Sequence, residues 1–518
     1  MALLCYFLPA RLPGGTETGY LSGYSSDPVA RAALRDDLHL DRAPPVAFAS
    51  FLTDAVHGDL GRLPVTGVDV GAVVGERALE SAVFAAAAGG LALVLVAPRR
   101  RRRRSRSPDA VPAPSFVPGA VWALPLFAAV AVAVRFGNVA APGAHAAIVS
   151  RAGATLLPAL ALALALAVWT TDGRRTTRDI VATLLVGTLV TEAVFGLPGL
   201  GTLLRDAAIR PDPLMLRGVL FVLSVAAVAA AVVFVPSRRA SDDPTESPTI
   251  RRRAASGTLA TLWVLALVGA TLARLHLGLA PASRTGSGVV HGVSSTHPLG
   301  ADVLGRDVLA RILATARGSL LLVVAAMVIA TMLGSAVGVV VAFSGGWVER
   351  IGIAALTGWA AFPGELVALA LLAFNGRDGN ETAIALAFVA APHIALGAQR
   401  RTLDALQQSD VPPGAHGWLG SLASQVSPNL VQATLATMFV GASRVVVTEL
   451  VAGLLGLGPA ATQTWSHEVS MQLAFAARAP WAVIAPAAVA LVTAVALAGL
   501  GNAIRPPRRP SRTASRAG

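Results

Sequence analysis

Long apolar runs recur along this 518-residue chain, each about the length a helix needs to cross a bilayer. Eleven stand out, at residues 81–97, 118–136, 155–171, 180–199, 216–235, 257–275, 319–342, 353–374, 382–398, 431–452 and 481–501. Hydrocarbon offers backbone amides no partner, so such runs must satisfy their hydrogen bonds internally, as helices do. The expected fold is therefore all-α and polytopic, with about 11 spans. Composition agrees. At 54% apolar and 14% charged, the chain is too apolar to wrap itself in a polar shell.

A second feature divides the molecule. "VTEAVFGLPGLG" occupies residues 190–201 and "VTELVAGLLGLG" residues 447–458, identical at nine of twelve positions with an offset of 257. A period of that length is too long for a solenoid and reads as a duplicated domain. The glycines permit positive φ and close backbone approach, so the chain can turn tightly as it leaves the membrane. Glu192, Gly199 and Gly201, with their counterparts Glu449, Gly456 and Gly458, are thus candidates for lining or gating a path between the two copies. The plainer alternative is that Gly-Leu-Gly only ends a helix.

The charge pattern excludes some functions. All 42 basic residues are arginine, and a P-loop needs a lysine on the nucleotide phosphates, so ATP hydrolysis would have to occur in another polypeptide. The net charge of +13 raises nucleic acid as a partner. Its distribution argues against one, because arginines cluster between apolar runs, as in "PRRRRRRSRS" at 98–107 and "RRR" at 251–253. That is the pattern of the positive-inside rule, and it places the C-terminus in the cytoplasm. The run Arg99 to Arg104, with Arg106, would fix topology and lie against anionic lipid headgroups. A single cysteine, Cys5, rules out an intrachain disulfide framework, and no ligand cluster for a metal is visible. Residues 11–80 read as external, with nothing long enough to cross before them. Either residues 1–10 are the remnant of a first span or the true start lies upstream.

Several motifs carry a family resemblance. "HPLGADVLGRDVLARILATARGSLLLVV" at 297–324, "GGWVERI" at 345–351 and "APWAVIAPAAVALVTAVALAGLGNAIR" at 479–505 resemble one permease of the dipeptide/oligopeptide/nickel family of ABC transporters. In the first half, "DPVARAALRDDLHLD" at 27–41, "HGDLG" at 57–61, "LLPALALAL" at 156–164 and "EAVFGLPGLGTLLRDA" at 192–207 resemble its companion permease, in the same order. The resemblance implies two fused transmembrane domains of the type I ABC importer fold. They would comprise residues 1–235 and 257–509, joined by a cytoplasmic linker at 236–256 and followed by a tail at 510–518. It also implies partners: cytoplasmic ABC ATPase subunits that use the ATP, an extracytoplasmic solute-binding protein, and the lipid bilayer. The chain itself would bind no cofactor and catalyse no covalent chemistry, and the family carries peptides, nickel complexes and related small solutes.

Permeases of this kind pass motion from the ATPase through a short cytoplasmic helix of pattern Glu-Ala-Ala-x-x-x-Gly, followed downstream by Pro. In the second half the matching region is "QRRTLDALQQSDVPPGAHGWLGSLASQVSPNLVQ" at 399–432. Asp410 and Val411 match its start, and Ser427, Pro428 and Asn429 its end. Between them "PPGAHG" replaces the glutamate and alanines, leaving Gly414, Ala415 and Gly417 as the small-residue candidates for ATPase contact. Two successive prolines can begin a helix but not continue one. In the first half "TTDGRRTTRD" at 170–179 runs almost directly into the next span, so the coupling loop there is expected to be lost. An ion-coupled carrier, or a degenerate inactive permease, therefore stays open as an alternative.

Glu365, Arg444 and His393 are ionisable residues placed deep in expected spans, which makes them functional candidates by default. Read in sequence they form no chain or repeated set, and interhelical hydrogen bonding or the lining of a wet path accounts for them. His297 alone is too little for a metal site.

Overall fold

The structure, a computed structural model, describes residues 44–64, 66–104, 158–160, 162–163, 177–209, 212–233, 250–273, 292–295, 297–361, 364–374, 379–408, 428–459, 462–476 and 478–504. Among these residues the chain is helical, with only two isolated β-bridges. The helices are α1 Pro44–Val56, α2 Val70–Arg104, α3 Thr177–Phe195, α4 Leu200–Ile209 and α5 Pro213–Val233, then α6 Ile250–Ala273, α7 Val308–Ser344, α8 Gly346–Ala361, α9 Gly364–Phe374, α10 Gly379–Gln408, α11 Pro428–Leu454, α12 Trp465–Leu473 and α13 Pro480–Ala503.

Five described helices are long and apolar enough to cross a membrane, and seven spans result if each bent helix pair counts as one. The stretch expected at 180–199 forms only the first member of one such pair: α3 stops within it, and the chain turns through 67° and continues past it as α4. The stretch expected at 353–374 is divided between α8 and α9. The expected span at 118–136, and most of that at 155–171, lie outside the described residues. Helix α6 begins at Ile250, inside the stretch read as linker, and carries Arg251 to Arg253 in its first turns.

Small residues set the closest helix contacts. Gly334 and Gly338 of α7 lie one turn apart and face α10, where a Cβ on Gly334 would stand 2.7 Å from the Ala391 carbonyl and one on Gly338 would strike that of Ala395. This is the small-xxx-small packing by which apolar helices approach in a medium that gives them no hydrophobic drive to associate. Gly501 of α13 makes a similar approach to Ala436 of α11.

The duplication is visible in the packing. Every pair among α2, α3, α4 and α5 is in contact, and so is every pair among their counterparts α7, α11, α12 and α13. The halves meet where α3 touches α11 and where α5 touches α9. One hydrophobic core runs through both, from Val190 and Leu204 in the first half to Val446 and Leu450 in the second.

Candidate functional site

The repeated motif builds the same clasp twice. In the first half Glu192, fully buried on α3, accepts a hydrogen bond from the Gly201 amide at 2.8 Å, in the first turn of α4. The adjacent Leu200 amide donates to Ser81 Oγ of α2 at 2.8 Å. In the second half Ser319 of α7 takes the place of Ser81. Its Oγ accepts from the Trp465 amide, the first residue of α12, at 2.8 Å, and donates to Glu449 of α11 at 2.7 Å. Both clasps bring a carboxylate and a hydroxyl to the N-terminus of a short helix, where unpaired amides and the positive end of the helix dipole favour a negative charge. They pin α4 and α12 to the ends of the helices that precede them.

The glycines of the motif divide their duties differently in the two copies. Gly196 (φ +65°) stops α3, and the Leu197 amide returns to the Glu192 carbonyl at 2.9 Å. In α11 the stop falls at Gly456 (φ +72°), with the Leu457 amide returning to Ala452 at 2.7 Å. Both are Schellman-type ends. In the register of the sequence repeat Gly456 corresponds to Gly199, so the second copy continues for most of another turn before it stops. Gly199 and Gly201 serve close approach instead: a Cβ on Gly199 would run into the Glu192 carboxylate, and one on Gly201 into the Leu189 backbone. Gly458 lies against Ser466, and Gly456 against Ile209 of the first half, where a Cβ would meet Cδ1 at 3.1 Å. That last contact joins the exit motif of one half to the end of α4 in the other.

The loop that precedes the first helix of each clasp is duplicated as well. Asp69 and Asp307 cap α2 and α7, accepting from the Ala72 and Ala310 amides at 3.0 and 2.7 Å. Val70 and Val308 donate to the carbonyls of Gly61 and Gly300 at 3.0 and 3.1 Å. His297, expected not to bind metal alone, pairs through Nδ1 with Asp307 Oδ2 at 2.9 Å. A larger network follows in the second half. Arg311 Nε bonds Glu468 Oε1 at 2.7 Å and its Nη2 bonds Oε2, while Gln472 Nε2 reaches Asp302 at 3.1 Å and Arg306 Nε reaches the same carboxylate at 2.6 Å. It ties the loop ahead of α7 to α12. Among the described residues no group of three or more His, Cys, Asp or Glu could hold a metal ion.

Three residues that show no pattern in sequence come together deeper in the second half. Glu365 Oε1 accepts from Arg444 Nη2 at 2.7 Å and Nε at 3.2 Å, and Arg444 Nη1 lies 3.0 Å from His393 Nε2. They sit on three different helices, α9, α11 and α10. Of the expected ATPase-coupling residues, Pro428 and Asn429 lie in the first turn of α11. Asp410, Val411, Gly414, Ala415 and Gly417 lie outside the described residues. In the first half α3 starts at Thr177, within the "TTDGRRTTRD" stretch, and residues 170–176 before it are also outside.

A chain that is helical among its described residues, with five to seven apolar helices long enough to span and a packing pattern repeated in its two halves, is a polytopic membrane protein. Comparison with known proteins names the family. The dipeptide transport system permease protein DppC of Escherichia coli is 30% identical over 218 residues, covering 41% of this chain and 73% of that protein. The glutathione transport system permease protein GsiD of Pectobacterium atrosepticum is 28% identical over 219 residues, 41% of this chain and 72% of its own length. A dipeptide permease of Alkalihalophilus pseudofirmus is 26% identical over 225 residues, 42% of this chain and 72% of its own length. No family profile matches the chain. The chain belongs to the dipeptide/oligopeptide family of ABC transporter permeases. Each alignment uses about 41% of the sequence, which is consistent with two permease units fused in one polypeptide.

Proposed function

We propose that this chain is the membrane-spanning permease component of an ABC importer for small peptides or related small solutes. An extracytoplasmic binding protein delivers the solute, and separate cytoplasmic ATPase subunits supply the energy. The alignment over 73% of a dipeptide permease carries the reading. The duplicated clasp supports it, because a path between two equivalent domains needs the same anchored helix exit on both sides. The relatives named for dipeptide and glutathione transport point to peptides as the solute class.

The test is uptake of a radiolabelled dipeptide by the native host, with the gene intact, deleted and restored. The reading expects uptake to fall on deletion and to return on complementation with the whole chain. Unchanged uptake of a panel of di- and tripeptides after deletion contradicts it.

A further inference from the structure

The Glu365–Arg444–His393 cluster has features that a purely structural ion pair does not need. Its residues lie in helical stretches that are otherwise closed: Ala442, Ser443, Val445 and Val446 flank Arg444, and Leu366 and Val367 follow Glu365, all buried. Yet the Arg444 and Glu365 side chains remain 25% and 20% exposed, and His393 is exposed between buried neighbours. Ionisable side chains in membrane-spanning helices as a rule face the bundle interior or a wet cavity, because exposing them to lipid is costly. Two of the three helices, α11 and α9, are also those through which the second half meets α3 and α5 of the first. In the register of the repeat Arg444 corresponds to Gly187, which packs on Leu162, so the arginine itself is not repeated in the first half.

We propose that Arg444 and Glu365, with His393 beside them, form a station for the solute inside the membrane path, Arg444 taking the carboxylate of a small peptide. This rests on the permease reading and adds a residue-level site to it. At rest the guanidinium and carboxylate neutralise each other, which limits the cost of holding either in a low-dielectric setting. A zwitterionic peptide can exchange that single pair for two: its carboxylate on the planar guanidinium fork and its ammonium on Glu365. Net charge at the station does not change, and the solute leaves when the pair re-forms.

The experiment uses the purified full chain in lipid nanodiscs and measures binding of tritiated dialanine, with unlabelled dialanine and dialaninamide as competitors. The wild type is expected to bind dialanine and to prefer the acid over the amide by about tenfold, the ratio set by one charge-assisted contact. Arg444→Gln should bring that ratio close to one, and Arg444→Lys should retain part of it. Because Arg444→Gln leaves Glu365 without its partner, the double variant Glu365→Gln/Arg444→Gln serves as the folded control, with the same loss of preference expected. No binding of dialanine to the wild type, equal binding of acid and amide, or a preference that survives both variants overturns the station. Co-purification of ATPase subunits is scored on the same material. If they are present without acid-selective binding, the station fails and the permease stands. If selective binding depends on Arg444 but no ATPase is present, the station stands and the importer reading fails.

Discussion

The serine of each clasp is the residue on which most depends. Ser81 and Ser319 each answer one helix-terminal amide and each also bond the buried glutamate of their own half, Glu192 or Glu449. Removing a partner from a buried polar group costs about 1–3 kcal/mol. Ser81→Ala and Ser319→Ala should therefore each lower the apparent unfolding midpoint in detergent; an unchanged midpoint in either variant would show that the serine of that clasp contributes nothing to stability. The glycines give a parallel contrast. Gly196→Ala meets open space and only the strain of positive φ, about 1–2 kcal/mol. Gly201→Ala drives a methyl into the Leu189 backbone and should cost about 3 kcal/mol. Sequence made Glu192 and Glu449 visible because they fall inside a near-identical twelve-residue repeat. It did not show Ser81 or Ser319, whose backbone partners lie 119 and 146 residues away along the chain. Nor did it join Glu365 and His393 to Arg444, 79 and 51 residues off, since contacts between helices leave no local period.

At the level of elements, the repeat is in register by sequence but not by structure. α11 runs past the point where α3 stops, and the stop moves from Gly196 to Gly456. Which glycine takes positive φ depends on what the helix end packs against, and that lies outside the motif. A second repeat was legible yet easy to overlook: "GVDV" at 67–70 and "GRDV" at 305–308 carry the two capping aspartates, but at an offset of 238 rather than 257. Loss of an N-cap typically costs about 1 kcal/mol. Asp69→Ala should show about that loss. Asp307→Ala should show more, because Asp307 also holds His297. The comparison is read from thermal unfolding of the two variants side by side, and an Asp69 effect larger than that of Asp307 would contradict the assigned contacts. The bend of 67° between α3 and α4 was signalled by "GLPGLG", though its angle is set by the Glu192 clasp.

For the whole molecule, fold class and duplication followed from apolar run length and the long-period repeat, which depend on composition and order alone. How the halves meet did not, because it is settled by side chains such as Ile209 on Gly456. A core shared by both halves predicts that severing the chain between α5 and α6 leaves two pieces that still associate. Co-expressed and singly tagged, they should purify together at equal amounts; recovery of the tagged piece alone would show that the covalent link holds them. The claim that organises all of this is that the chain is the fused permease of an ABC importer. Affinity purification of the tagged protein from native membranes in mild detergent tests it most directly. The account predicts stoichiometric ATPase subunits and a solute-binding protein in the eluate, with ATP hydrolysis that depends on the 399–430 loop. A well-folded protein that elutes alone would contradict it, and the resemblance would then record ancestry rather than present function.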